Sequence, residues 1–414
     1  MSVWTPEWSI QINGGTEYVD LTLTNVTITS GRTDIYSQPR AGYCSVEILN
    51  LNEAPLIIDV NDNVLIRVKD STGTFVNLFG GDVTDIQVSV VNNSGTQSNQ
   101  IIRLTALGAL SKLPVSLTEG VLVKDFDGDQ IYTILSELLL NNWNEVAPAV
   151  TWASYDATTT WANAENVGLG EIDQPGDYEL AARSSSITDV YSLVSSLANS
   201  GLGYIYEDSA GRIGYADSTH RSAYLASNGY TVISAQDALT SSISTIKRIA
   251  DVRNNVTIKY NNGGEETASS TQSIAIYGQQ AHTISTTLHN AADAEFQAEF
   301  YLGIRAFPQS QFQAITYTLA NSNIDDGDRD ALLNVFIGLP LDITNLPPNI
   351  LLGRFQGFVE GWRFSAGVNR LDLTLTLSPT AFSLQSMKWE NVSVAESWNT
   401  LSSTLIWNEA TTVA

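Results

Sequence analysis

Hydrophobic and polar residues alternate with a period of two along much of the chain, a pattern typical of half-buried antiparallel strands. Residues 19–29, VDLTLTNVTIT, alternate in this way until Gly31 breaks the run. The same alternation predicts strands over 45–51, 63–69 and 75–91. The chain is therefore expected to be mainly β.

One block of this pattern occurs twice, as LFGGDVTDIQV at 78–88 and RFQGFVEGWRF at 354–364. Four positions match in each copy: Phe79, Gly81, Val83 and Ile86 in the first, and Phe355, Gly357, Val359 and Trp362 in the second. Neighbouring strands match as well, with Pro39, Tyr43, Val46 and Ile48 spaced like Pro308, Phe312, Ile315 and Tyr317. Chance matches between alternating strands are the alternative reading. Because the matched elements keep their order, we predict a duplicated β unit.

Each copy is predicted to form an antiparallel β-barrel, the first over 1–112 and the second, with an inserted helix, over 236–385. Glycines at positions 81 and 357 are expected to allow a bulge or a close backbone contact. Strands over 256–260 and 271–277 and a helix beginning at Asn290 are predicted in the second unit.

The segment between the two units, 113–235, has helical periodicity and is predicted to be a mixed α/β domain. One helix is expected to be capped by Asp129 and another to end at Gly201. A hairpin is predicted to turn at residues 209–211. The predicted fold is thus two related β-barrels flanking an α/β insertion.

A C-terminal extension, 386–414, follows the last matched strand. It carries three tryptophans nine residues apart, at Trp389, Trp398 and Trp407. Nine residues fit neither helical nor strand periodicity, so local packing and docking onto a partner protein both remain open.

The net charge of −24 disfavours functions that grip a nucleic-acid backbone. The N-terminal sequence has no secretory-signal pattern, and no apolar run is long enough to cross a bilayer, so no membrane insertion is expected.

No sequence motif of an active site is present, and no catalytic, cofactor or metal residues are expected. Three aspartates in DFDGD, Asp125, Asp127 and Asp129, lack the Gly and Glu spacing of an EF-hand. The protein is expected not to be an enzyme.

These pieces resemble the hub proteins of long bacteriophage tails. The resemblance lies in the order of LFGGDV, the helix ITDVYSLVSSLANSGLG with the hairpin YIYEDSAGRIGYAD, and GRFQGFVEGW, and it covers roughly residues 1–385. The wall-degrading domain that some of these proteins carry downstream is missing from the sequence.

The resemblance implies a homotrimer at the tail tip whose two units per chain form a pseudo-sixfold ring. Implied partners are the distal tail ring, tape-measure or fibre proteins, with DNA only passing through. The implied location is the virion, after assembly in the host cytoplasm. A receptor- or carbohydrate-binding tail module is the alternative.

Overall fold

A computed structural model describes residues 4–384, apart from the gaps 16, 20, 36, 51–54, 94–97, 114–115, 118–119, 140–168, 239–242 and 262. Trp389, Trp398 and Trp407 lie outside the described residues.

Twenty-three strands form within these ranges. In the first half of the chain they are β1 (Trp8–Ile12), β2 (Glu17–Val19), β3 (Thr22–Gly31), β4 (Tyr43–Asn50), β5 (Asn63–Lys69), β6 (Phe75–Asn93), β7 (Ser98–Gly108), β8 (Ser116–Leu117), β9 (Asp125–Phe126), β10 (Leu169–Ile172), β11 (Glu179–Leu180) and β12 (Thr188–Asp189). In the second half they are β13 (Tyr204–Glu207), β14 (Ile213–Ala216), β15 (Thr231–Ser234), β16 (Ser244–Ile246), β17 (Asn255–Tyr260), β18 (Gly264–Ser269), β19 (Ala281–Ser285), β20 (Gln311–Thr318), β21 (Pro340–Thr344), β22 (Phe355–Gly367) and β23 (Arg370–Pro379).

Six α-helices accompany the strands in the same ranges. They are α1 (Asp127–Leu139), α2 (Val190–Ser200), α3 (His220–Asn228), α4 (Thr271–Tyr277), α5 (Ala291–Arg305) and α6 (Asp326–Leu333). None of these helices combines the length and apolarity that crossing a bilayer requires.

Thirteen of the strands join in one sheet, whose main path runs β16-β20-β23-β22-β3-β4-β7-β6-β5-β1-β2. Strand β21 pairs with β22 beside this path, and β15 pairs with β21. The mainly β class is confirmed. In the described part of the chain, however, no pairing closes either unit into a barrel, and the two units instead share one continuous, open sheet.

Alternation along the strands places one face of this sheet in a hydrophobic core. Strand β23 shows the rule, with Leu371, Leu373 and Leu375 fully buried and polar residues between them. This core includes residues of both β units, from Trp8 to Leu377. The two units are therefore packed together as well as hydrogen-bonded.

A second core forms around α1, α2 and the β13–β14 hairpin. It also contains Val256, Ile258, Ala294 and Ala298, from β17 and α5. The boundary expected at residue 235 thus separates segments that share this core.

Several predicted local elements are confirmed. Helix α2 is capped by Asp189 and followed by Gly201, and the β13–β14 hairpin spans the expected turn. Helix α5 begins after Asn290, whose side chain accepts a hydrogen bond from the Asp293 amide.

Two predictions are wrong. Residues 271–277 form helix α4 rather than a strand, because Ser270 caps its first turn and Gly278, at φ 72°, ends it. Asp129 lies inside α1 rather than at its cap, since that helix begins at Asp127.

Candidate assembly interface

The two β units meet where β22 pairs with β3. The pairing is antiparallel, runs from Gly361 opposite Gly31 to Ala366 opposite Val26, and extends through the Arg32 amide, which donates to the Glu360 carbonyl at 2.8 Å. This junction makes the sheet continuous between the two repeats.

The repeated blocks make the same pairings in each unit. Gly81 lies opposite Val64 and Gly357 opposite Leu341. The repeat therefore extends from sequence spacing to hydrogen-bonding register. The other predicted repeat residues also occupy matching places. Phe79 and Phe355 each pair with the strand that precedes their block, β5 and β21 respectively. Val83 and Val359 each lie just before a register shift.

That register shift is itself repeated. On the other side of the block, β6 shifts register against β7 between Val83 and Asp85, and β22 shifts against β23 between Val359 and Gly361. An extra residue in one strand bends the sheet and increases its twist. Both units therefore bend at the same point of the repeat.

The repeat glycines lie close to equivalent backbone atoms. A Cβ on Gly81 would collide with the Leu107 carbonyl oxygen, and one on Gly357 would collide with the Ser378 carbonyl oxygen. Neither glycine has a positive φ. Close strand approach, rather than backbone conformation, therefore requires glycine at these two positions.

A buried charge cluster lies beside the junction. The Glu360 carboxylate accepts hydrogen bonds from Arg221 at 2.7 and 2.9 Å, from Arg32 Nε at 2.7 Å and from Ser378 Oγ at 2.5 Å. All three charged side chains are at least 90% buried. Burial alone raises the pKa of Glu360, but the charges of Arg221 and Arg32 outweigh it and lower that pKa to about 2.

Tyr204 completes the cluster. Its ring lies under both guanidinium groups, with 4.9 Å from the Arg32 Cζ atom to the ring centroid and 4.8 Å from that of Arg221. Arg32 follows β3, Glu360 lies on β22 and Arg221 lies on α3. The cluster therefore joins both β units to the insertion at one point.

Sequence reasoning missed this cluster because its members are 139 and 328 residues from Glu360. One signal was available. Glu360 is a single charge inside the apolar run FVEGW. A charged side chain at a buried strand position usually has a partner of opposite charge.

The insertion has a second attachment to the first β unit through Glu207, on β13. Its carboxylate accepts hydrogen bonds from the Gly42 amide at 2.5 Å and the Leu110 amide at 2.9 Å. Burial raises its pKa to about 7, although both hydrogen bonds act in the opposite direction. The adjacent hairpin turn lies so close that a Cβ on Gly80 would collide with the Ala210 backbone.

The central aspartate of the DFDGD segment, Asp127, serves packing. The buried Asp127 carboxylate accepts hydrogen bonds from the Asp177 and Tyr178 amides at 2.9 and 2.8 Å, and from the Tyr215 hydroxyl. Burial raises its pKa to about 7. No three His, Cys, Asp or Glu side chains in the described ranges are grouped to hold a metal ion.

Two solved structures have a similar fold. The 43 kDa tail protein of prophage MuSo2 from Shewanella oneidensis matches with a TM-score of 0.55 at 13% identity, covering 91% of this chain and 99% of that one. A tail protein from Neisseria meningitidis MC58 matches with a TM-score of 0.56 at 10% identity, covering 92% and 98%.

No family model matches the sequence, and no curated protein matches it. The chain has the fold of these two tail proteins, over nearly the whole length of each. The expected resemblance to phage tail proteins is confirmed at the level of the fold.

Proposed function

We propose that the protein is a structural component of a phage tail tip, a homotrimeric hub that connects the tail tube to tip or fibre proteins. The observation that carries this proposal is the repeat, in which two units of one chain share register, bulge position and close glycine contacts. Three chains would present six similar units. Such a ring matches threefold symmetry on one side and sixfold symmetry on the other.

The continuous sheet supports the same proposal. Strands of both units follow one another in one open path, so a barrel would be completed by three chains together rather than within one chain. The bend at the repeated bulge curves this path in both units. Glu360 and its two arginines would hold the units at a constant mutual angle.

In this proposal residues 1–112 and the second β unit form the ring, and the insertion from residue 113 lies outside it. Residues 255–305 belong with the insertion, because they share its core. The extension 386–414, with its three tryptophans, would bind another tail protein, such as the distal tail ring, tape measure or a fibre.

DNA would cross the ring without specific binding. A net charge of −24 suits this role, because a cationic wall would retain the phosphate backbone by releasing its counterions. The protein would be located at the virion tail tip after assembly in the host cytoplasm, and we propose no enzymatic activity.

The mass of the purified protein in solution tests the trimer. Multi-angle light scattering over a range of concentrations is expected to reach three times the chain mass. Two-dimensional class averages of the assembled particle should show six similar lobes around a central channel. A protein that stays monomeric at every concentration and within purified tails would contradict the hub.

A further inference from the structure

Among the strand edges of the large sheet that have no strand neighbour in the described part of the chain, one lies on β6 and another on β16. Strand β5 pairs with β6 only as far as Asp82, and the Val83 amide then donates to the Asp62 carbonyl at 2.9 Å. From Asp85 to Val90, β6 pairs with β7 on its other side alone. Strand β16, at the end of the path, pairs only with β20. Open edges of this kind are templates for another strand.

In the second repeat the first of these edges is occupied. There β21 pairs with β22 as far as Phe358, and the Val359 amide then donates to the Leu339 carbonyl at 3.0 Å, repeating the contact of Val83. Directly afterwards, Gly361 to Ala366 pair with β3. Strand β3 thus fills in the second repeat the edge that stays open in the first.

Strand β16 is the repeat counterpart of β3. Thr29 of β3 lies opposite Tyr43, and Thr245 of β16 lies opposite Phe312. Tyr43 and Phe312 occupy the same place in the repeat, because Val46 pairs with Leu104 as Ile315 pairs with Leu375. The edge that β16 leaves open is therefore the one by which β3 binds β22.

Side-chain exposure marks the same place. Val88 and Val90 of β6 are 57% and 58% exposed. Their repeat counterparts beside β3, Phe364 and Ala366, are 1% and 7% exposed. An apolar strip that one repeat buries at the junction lies open in the other, as expected for a surface that a partner covers.

We propose that the open edge of β6 binds β16 of a second copy of this chain, in the register that β22 and β3 adopt within one chain. This inference rests on the proposed ring and identifies the surfaces that close it. The transferred register places three pairs across the interface: Asp85 with Lys247, Ile86 with Ile246, and Gln87 with Thr245.

The charges of the two edges fit this register. Asp85 and Lys247 are both exposed and have opposite charge, so their proximity favours the pairing. At the junction within the chain the equivalent pair is Gly361 and Gly31. An ion pair would thus stabilise the interface between two copies, at the position where two closely packed glycines lie within one copy.

A disulfide tests the register directly. At the junction, the Arg32 amide bonds to the Glu360 carbonyl, which makes Gly31 and Gly361 a pair without mutual hydrogen bonds. Two residues further along, the Gln87 and Thr245 positions correspond to a pair of the same type. Such pairs have Cα atoms about 4.5 Å apart, within the range that a disulfide requires.

The full chain carrying Gln87→Cys and Thr245→Cys is oxidised and run on a non-reducing gel. A covalent trimer is expected, and each single variant should give none. The native Cys44 is buried and should not contribute. Val19→Cys with Thr245→Cys is the matched control, since Val19 is 49% exposed on β2 at the opposite end of the sheet.

Charge exchange gives a second readout. Asp85→Lys and Lys247→Asp are each expected to weaken trimer formation several-fold at low salt, and the double exchange should restore it. Simple loss of folding would not be reversed in this way.

The outcomes separate this inference from the proposed function. Cross-linking by the 87/245 pair, absent with the 19/245 pair, supports the strand pairing. A trimer of the expected mass without that cross-link overturns the strand pairing and leaves the hub in place. A protein that remains monomeric in solution and in purified tails overturns both.

Discussion

The guanidinium group of Arg221 lies side by side with the carboxylate of Glu360, with an Nη1–Oε1 distance of 2.7 Å and an Nη2–Oε2 distance of 2.9 Å. This two-point contact fixes orientation as well as distance. Because Arg221 belongs to the insertion and Glu360 to the second β unit, their geometry determines how these two parts of the chain are placed.

Replacing Glu360 with Gln should destabilise the protein by about 3–5 kcal/mol, because Arg32 and Arg221 would remain buried without a counter-charge. Urea unfolding at pH 7 measures the change. The control is Glu47→Gln, which breaks a surface ion pair with Arg103 and should cost less than about 1 kcal/mol. Equal effects of the two substitutions would contradict the importance of the cluster.

Stability should depend on pH through Glu207. Its folded-state pKa, about 7, exceeds the ordinary value of 4.5. The native state therefore holds a proton that the unfolded state releases, and the free energy of unfolding falls as pH rises from about 4.5 to about 7.

The Glu207→Gln variant should reduce this fall by up to about 1.4 kcal/mol per pH unit. Urea unfolding across that range measures the slope. The pKa of Glu360 is lowered, so this carboxyl group changes stability only at more acidic pH. Glu360 therefore does not contribute to the slope in this range and serves as the internal comparison. An unchanged slope in Glu207→Gln would show that this carboxyl group is not protonated in the native state.

Alanine at Gly81 or at Gly357 should destabilise the protein by about 1–3 kcal/mol, because its Cβ would press on a carbonyl oxygen of the neighbouring strand. Gly367→Ala is the matched control, since a Cβ there has no atom within 4 Å. Thermal unfolding of the three variants gives the comparison. The repeat requires similar losses at positions 81 and 357, and a loss at one alone would argue against their equivalence.

Alanine in place of Trp389, Trp398 and Trp407 should leave the melting temperature unchanged and weaken binding to another tail protein. Buried tryptophans at interfaces commonly contribute about 2 kcal/mol or more each, which corresponds to roughly 30-fold in affinity. Co-purification of the full-length variant with the other tail proteins measures the effect. A lowered melting temperature would instead assign these side chains to packing within the protein.

Much of the β architecture follows from local pattern. Alternation places residues such as Leu371 and Leu373 on one buried face, and equal spacing of the repeated blocks predicts equal register. Both properties depend on residues close together in sequence. Helix α2 was predictable for the same reason, since its apolar face, its cap at Asp189 and its end at Gly201 are contiguous.

Segment 271–277 shows the limit of such patterns. Its apolar residues fit a short strand, but the side-chain cap from Ser270 and the left-handed Gly278 stabilise a helix. Over seven residues, alternation and helical periodicity are hard to distinguish, and the end groups determine the outcome.

Contacts between distant segments depend on the tertiary structure. The sequence shows two β units, but their union in one sheet requires β3 to lie against β22, more than 300 residues away. Glu360 is visible in the sequence as a charge among apolar residues, whereas its partners Arg32 and Arg221 are not. Alternation specifies which face of a strand is buried. Backbone hydrogen-bonding groups are the same in every sequence, so they do not select a neighbouring strand. Only the packing of the whole chain determines which strand lies beside it.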